Sequence, residues 1–334
     1  MDSDLRLDRA VEIVFKTTPY LLLRAAMYGC VCAGIAFLLA LLGCIGSFFG
    51  FAVFWVLLLL TIVSGVVFGS RAMRRSRFLR SVHAGHVALM TELALKGRLP
   101  EGIVQADWAR QRVEKRFKKT SVLCSIGGHV DRIHRTINHK LLDAGAAVPI
   151  PSGGAWDWAA EPIANLAVGY VDDAVLAYTF AHKHDNPFEA AKNGVVLYCQ
   201  QRRSLVNHAA RLTLLGYASV GIVAMLLMLP AGILSFMFDS PEMHIALFGT
   251  AIVLGLAQKW ILFDSVATAS TILVFLKESE SMEPSTEWEA RIDDASDEFR
   301  QLRKRAEKYA KKAQQRHEAV NLPEANDKAQ WIEE

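Results

Sequence analysis

The chain has 334 residues, of which 52% are apolar and 21% charged, with a net charge of +3. So much apolar content beside an average charged fraction means that the apolar residues are gathered in blocks, which argues against an ordinary soluble fold. Five cysteines (Cys30, Cys32, Cys44, Cys124, Cys199) are odd in number and lack framework spacing, which argues against a disulfide scaffold.

Residues 1–24 carry mixed charge, and no small-residue cleavage site follows the apolar run. They read as a cytoplasmic N-terminal segment, without a cleaved signal peptide. Residues 25–69 form the first apolar block. The stretches 25–49 and 51–69 are uncharged, and each reaches about the 20 residues that a helix needs to cross roughly 30 Å of hydrocarbon. The short join Gly46-Ser47-Phe48-Phe49-Gly50 closes them into a tight hairpin that reads as packing.

Residues 70–211 are too polar to span as a whole and follow a helical pattern. One helix is expected over about 71–96, stopped by Gly97. A second opens at Pro100, with Ile103, Val104, Trp108, Val113 and Phe117 apolar. A third carries Val122, Ile126, Val130, Ile133, Ile137 and Leu141 at three- and four-residue spacing and ends at Gly145, before a loop over 145–155. Between 71 and 119 there are 13 Lys and Arg against 4 Asp and Glu, which beside a membrane attracts anionic headgroups. Arg71, Arg74, Arg75, Arg77 and Arg80 are the residues expected to meet headgroups or a partner, and no nucleic acid is expected.

Residues 162–180 are apolar apart from Asn165 and the pair Asp172 and Asp173. The stretch is read as an interfacial or packed helix, ahead of a re-entrant segment or a fifth span. A fifth span would make the number of crossings odd.

The second block, 212–276, holds another hairpin. After an uncharged run over 212–238, Asp239-Ser240-Pro241-Glu242 forms a turn, with Ser240 placed as a helix N-cap and Pro241 at the first helical position. The apolar run from 243 to 276 is longer than a bilayer needs, so its last turns must tilt, kink or emerge. Gln258, Lys259 and Asp264 lie on it. Ionisable groups there either mark a solute path or, for Lys259, reach the headgroups. Five residues apart, Lys259 and Asp264 are poorly spaced for pairing on an α-helix. Trp55, Tyr217, Trp260 and Phe263 form either a cation-attracting aromatic wall or packing anchors. Neither hairpin loop contains Lys or Arg, whereas the basic residues 71–80, Arg202, Arg203, Arg211 and Lys277 flank the other ends. That asymmetry puts both termini and the central region in the cytoplasm of a bacterial inner (plasma) membrane.

Residues 277–334 read as a charged cytoplasmic helix and tail. Thr286 and Glu289 fit a capping box. Trp288, Ile292, Ala295, Phe299, Leu302, Ala306 and Tyr309 make a stripe that suits a coiled coil, a protein partner bound through 286–320, or docking on the chain itself. The tail after Val320 reads as loose.

His83 and His86 share a helix, and His129, His134 and His139 recur every five residues, about 140° apart on an α-helix, so they do not converge on a metal. They read as solvated or partly packed. No phosphate loop, nucleophile elbow or H-E-x-x-H motif is present, so neither enzyme activity nor a cofactor is expected.

Asn186-Pro-Phe-Glu-Ala-Ala-Lys192-Asn193, followed by Tyr198, Arg202 and Arg203, and then Phe263-Asp264-Ser265-Val266 with Phe275-Leu-Lys-Glu278, resembles the C-terminal part of choline transporter-like proteins. The resemblance covers about 186–280. It implies movement of a small cationic solute such as choline and carries over Lys192, Asn193 and Asp264. It departs at Thr268, where the family has an acidic residue, and in the number of spans. The combined expectation is an all-α, polytopic membrane protein with two transmembrane hairpins and cytoplasmic helices. It acts as a transporter or channel-like protein for a small solute, within membrane lipid and as a potential homo-oligomer. The alternative is a scaffold that recruits a protein or anionic lipid.

Overall fold

A computed structural model of the chain describes residues 6–65, 77–140, 148–149, 157–182 and 186–330. Every regular element among them is helical. Helix α1 (Leu7–Lys16) buries Ala10, Ile13 and Val14. Thr17 breaks the chain for one residue, and α2 (Thr18–Phe49) follows with a proline in its first turn. It starts seven residues before the expected span and so takes in Arg24. Gly50, at a φ of 93° that suits glycine alone, reverses the chain into α3 (Phe51–Ser64). The expected remainder of that span, 66–69, lies outside the described residues.

The central region contributes α4 (Arg77–Lys96), α5 (Gln105–Phe117), α6 (Thr120–Lys140) and α7 (Asp157–Ala181). Gly97 ends α4 with a φ of 72°, as a helix-stopping glycine does. The expected end of the third central helix at Gly145, and most of the expected 145–155 loop, lie outside the described residues.

Helix α8 (Pro187–Ser235) is a single helix of 49 residues, opened by Asn186, whose side chain accepts from the Glu189 N–H at 2.8 Å. Its first half is buried against α7, from Phe188 to Leu212. Its second half exposes Ile222, Met225, Leu226, Leu229 and Ile233. The change falls at the expected start of the third span, and one helix serves both surroundings. Ser240 takes the expected N-cap position of α9 (Pro241–Gln258), with proline at the helix start, but its hydroxyl accepts from Ser47 and makes no capping bond. One π turn (Lys259–Phe263) then leads into α10 (Asp264–Ser279), most of whose residues are buried. The long last apolar run therefore divides in two: α9 exposes Ile252 and Leu254, and α10 is a core helix.

Three of these helices are long and apolar enough to cross a membrane: Thr18–Phe49, Pro187–Ser235 and Pro241–Ser279; Phe51–Ser64 is apolar but shorter. Helix α7 is not among the three. Ala164, Ala167, Val171, Ala174, Val175 and Phe180 bury it in the main core with α8 and α10, so the packed-helix reading of 162–180 fits its place.

Helices α11 (Thr286–Ala295) and α12 (Asp297–Gln330) follow. The cap of α11 is Ser285, one residue before the expected box, and its hydroxyl accepts from Trp288 N. Ile292, Phe299, Leu302 and Ala306 join the main core. The stripe is thus docked on the chain's own helices α6 and α8. The expected loose tail is instead helical to Gln330.

Candidate functional site

The π turn decides the local geometry. Such a turn pairs residue i with i+5, and the Asp264 N–H donates to the Lys259 carbonyl. Lys259 and Asp264 thereby share one side of the helix. The expectation that five-residue spacing keeps them apart is corrected: Lys259 Nζ donates to Asp264 Oδ1 at 2.7 Å. The Tyr170 hydroxyl, on α7, donates to the same oxygen at 2.6 Å. Burial, and next the Asp264 carboxylate, hold the Tyr170 hydroxyl far above its ordinary pKa, so it remains a donor. The Lys259 ammonium also lies 4.8 Å from the centre of the Tyr217 ring on α8, within cation–π range. Lys259 is only 6% exposed. It is turned inward between helices rather than outward along the surface.

The other expected site residues divide. Gln258 accepts at 3.4 Å from Ser219 on α8. The Trp260 ring is tilted against Tyr28, 6.2 Å centre to centre, and its carbonyl belongs to the cluster described next. Trp55 packs with Phe51 and Phe54 on α3, apart from the lysine. Phe263 presses on Gly216, where a Cβ would come within 2.9 Å of the ring and 3.3 Å of Lys259 Cε. Gly216→Val should therefore push Phe263 and Lys259 out of place and cost about 1–3 kcal/mol. A thermal-melting series of Gly216→Ala and Gly216→Val in detergent checks this, and an unchanged midpoint in both would refute the close contact.

Arg24 belongs to the cluster and was not anticipated. Its guanidinium is 6% exposed. It donates to Ser265 Oγ at 3.0 Å and to the Trp260 carbonyl at 3.1 Å, and lies 3.3 Å from His86 Nδ1. His86 Nε2 in turn meets Thr17 Oγ1 at 3.1 Å, and its ring stacks on Tyr20. A lone arginine at the inner edge of an uncharged run was the available signal. It was passed over because the first span was started one residue later.

Below the lysine, α7 and α10 are laddered. Tyr170 and Asp173, three apart on α7, meet Asp264 and Thr268, four apart on α10. Thr268 Oγ1 donates to Asp173 Oδ2 at 2.9 Å, and His83 Nε2 reaches Asp173 Oδ1 at 2.6 Å. Asp172 Oδ1 takes His134 Nδ1 at 2.5 Å. The histidines are less solvated than expected: His86, His129 and His134 are buried. Each has its ring fixed by a neighbour, since Arg132 lies 3.4 Å from His129 and Tyr198 packs edge-on to His134. Among the described residues no group of three or more His, Cys, Asp or Glu could hold a metal ion.

Burial, reinforced by Arg24, holds His86 well below the ordinary histidine pKa. The unfolded chain therefore binds the proton first. The stability this neutral ring contributes is complete above a pH of about 6.5 and is lost as the pH falls below that. His129, lowered chiefly by burial, acts in the same direction. The melting midpoint should fall between about pH 7 and 5. His86→Gln should flatten part of that slope, and a slope identical to the wild type would refute the assignment.

Of the five arginines expected at headgroups, Arg71, Arg74 and Arg75 lie outside the described residues, as does the side chain of Arg77 at the start of α4. Arg80 is turned to the protein, donating to the Cys124 carbonyl at 3.0 Å. Lys192 pairs with Glu189 at 2.9 Å and Glu289 at 3.0 Å. Lys192 and Asn193 lie roughly 35 Å along α8 from Tyr217 at 1.5 Å per residue. The residues implied by the family resemblance therefore do not form one site. No known protein family, curated protein or solved structure matches the chain.

Proposed function

We propose that the chain is an integral membrane protein with two hairpins and both termini cytoplasmic, and that it moves a small cationic solute through the seat now filled by the Lys259 ammonium. The observation that supports this is the inward-turned pair at the π turn. A carboxylate, itself held by a phenol hydroxyl, and an aromatic face meet one ammonium, and the carboxylate and ring suit a free organic or alkali cation. Lys259 is then a tethered cation that a solute must displace from Asp264 and Tyr217. π turns inside α-helices are frequent at functional sites. The resemblance to choline transporter-like proteins implies the same class of solute, and the Lys and Arg asymmetry supports the orientation.

The scaffold alternative relied on the basic cytoplasmic helices and on the C-terminal stripe; of these, the stripe's Ile292, Phe299, Leu302 and Ala306 are occupied by the chain's own core. This favours transport over partner capture through that face. Proteoliposome flux of choline, potassium and sodium tests the reading. The wild type should carry at least one of them, and Asp264→Asn should abolish the flux. No flux for any of the three, or equal flux in Asp264→Asn, would overturn it.

A further inference from the structure

Between α4, α6 and α7 lies a half-open cavity of about 300 Å³, on the side of Asp173 away from Thr268. That volume is at the lower end of ligand pockets. Its apolar wall includes Leu123, Ile126, Val175 and Leu176, and its polar wall Arg80, His83, Asp131, Arg135, Asp172 and Asp173.

Most of the polar wall is engaged within the protein. Asp131 pairs with Arg135 at 2.9 Å, both Asp173 oxygens are taken by His83 and Thr268, and Arg80 holds the Cys124 carbonyl. Two wall carboxylates keep an oxygen to which no described residue donates: Asp131 Oδ2, since both Arg135 nitrogens take Oδ1, and Asp172 Oδ2, since Oδ1 meets buried His134. Asp172 is the more enclosed, its side chain 23% exposed against 41% for Asp131. Burial raises the Asp172 pKa, with His134 opposing.

A second observation is independent of the charges. Gly127 and Gly128 lie side by side in the middle of α6 and line the same cavity. A glycine inside a helix costs about 1 kcal/mol relative to alanine. At Gly216 and Gly255 a contact accounts for the cost, whereas at Gly127 and Gly128, as at Gly29, Gly34, Gly169, Gly221 and Gly232, a Cβ would meet nothing within 4 Å; Gly127 and Gly128 are the two of these that line the cavity. No neighbour in the chain demands the missing side chains, and the room they leave belongs to the cavity.

We propose that this cavity binds a small amine whose ammonium donates to Asp172 and whose apolar body lies over Gly127 and Gly128 against Ile126 and Leu176. The amine donates to the more enclosed of the two open carboxylate oxygens and fills the space over the glycines. The site is separate from the Lys259 seat and stands whether or not that seat transports.

The test uses the full chain in lipid nanodiscs, with phenethylamine as the probe and 2-phenylethanol as its uncharged counterpart. Binding is read by saturation-transfer NMR and titration after subtraction of empty nanodiscs. Phenethylamine should bind, and the alcohol should bind at least about tenfold more weakly, as loss of a charged hydrogen bond implies. Asp172→Asn, which keeps an oxygen for His134, should weaken the amine by a similar factor. Gly128→Leu, which grows into open space without disturbing the fold, should block it. Equal binding of amine and alcohol, or undiminished amine binding in Gly128→Leu, would overturn the proposal. So would amine binding that is lost in Asp264→Asn but kept in Asp172→Asn, because that places the amine at the Lys259 seat instead.

Discussion

Asp264→Ala is expected to destabilise the protein by about 3–5 kcal/mol, because it leaves an ammonium buried without its counter-charge. Lys259 is closely held: its side chain is 8% exposed, with the Tyr217 ring on one side and Gly216 against its Cε. The same substitution strands the Tyr170 hydroxyl, whose acceptor is Asp264 Oδ1. Adding Lys259→Met to Asp264→Ala should recover most of the loss, since an apolar pair of similar volume in place of a buried ion pair is often neutral or better. Denaturant or thermal unfolding of the two single variants and the double variant forms the cycle. A loss below about 1 kcal/mol in Asp264→Ala would mean that the pair behaves as an exposed one does. The cycle also separates stability from transport, because the double variant should fold while carrying no solute.

Phe299→Ala should cost about 3–5 kcal/mol, the range for a large aromatic removed from a closed core. Phe299 is 0% exposed and lies in one cluster with Ile292, Leu302 and Ala306, which fasten α11 and α12 to the helices they cover. Around it the attachments are polar and more solvated: Lys192 with Glu289 at 3.0 Å, and Asn186 Nδ2 donating to the Ala306 carbonyl at 3.3 Å. The Lys192 side chain is 11% exposed, but its partners Glu189 and Glu289 are 37% and 28% exposed, so removing the lysine strands no deeply buried charge and the aromatic should dominate. Limited proteolysis reads the effect locally, with new cleavage between residues 286 and 320 in Phe299→Ala and little change in Lys192→Met. Equal cleavage in both variants would show that the ion pair, and not the apolar contact, holds the segment.

The helices were legible in the sequence where a single rule governed them. Gly97 stopping α4, and Ser240 and Pro241 opening α9, are local signals read by local chemistry, whereas Asn186 and Pro187 opening α8 were not read as a helix start. The stripe from Trp288 to Tyr309 gave its periodicity but not its counterpart, because a heptad-like pattern is the same whether it faces a second chain or its own. The pair at Lys259 was missed for a different reason. Spacing arguments assume 3.6 residues per turn, and one π turn changes which residues share a face. Nothing in Lys-Trp-Ile-Leu-Phe announces that turn. Arg24 comes from α2 and Tyr170 and Asp173 from α7, so only tertiary packing brings them to Asp264 and Thr268 on α10. The buried histidines were misjudged likewise, since each has its partner on another helix or one turn away.

Helix α8 runs through 49 residues, roughly 74 Å, with Pro230 inside its second half and no proline between Lys192 and Tyr217. Its inner end is pinned to α11 through Lys192, and its middle touches the lysine seat at Gly216 and Tyr217. Between those two points it is buried against α7 as far as Leu212, so the segment from the lysine cluster to the α11 contact is one element held along its length. The lysine cluster and the C-terminal helices therefore share one rigid support about 36 Å long.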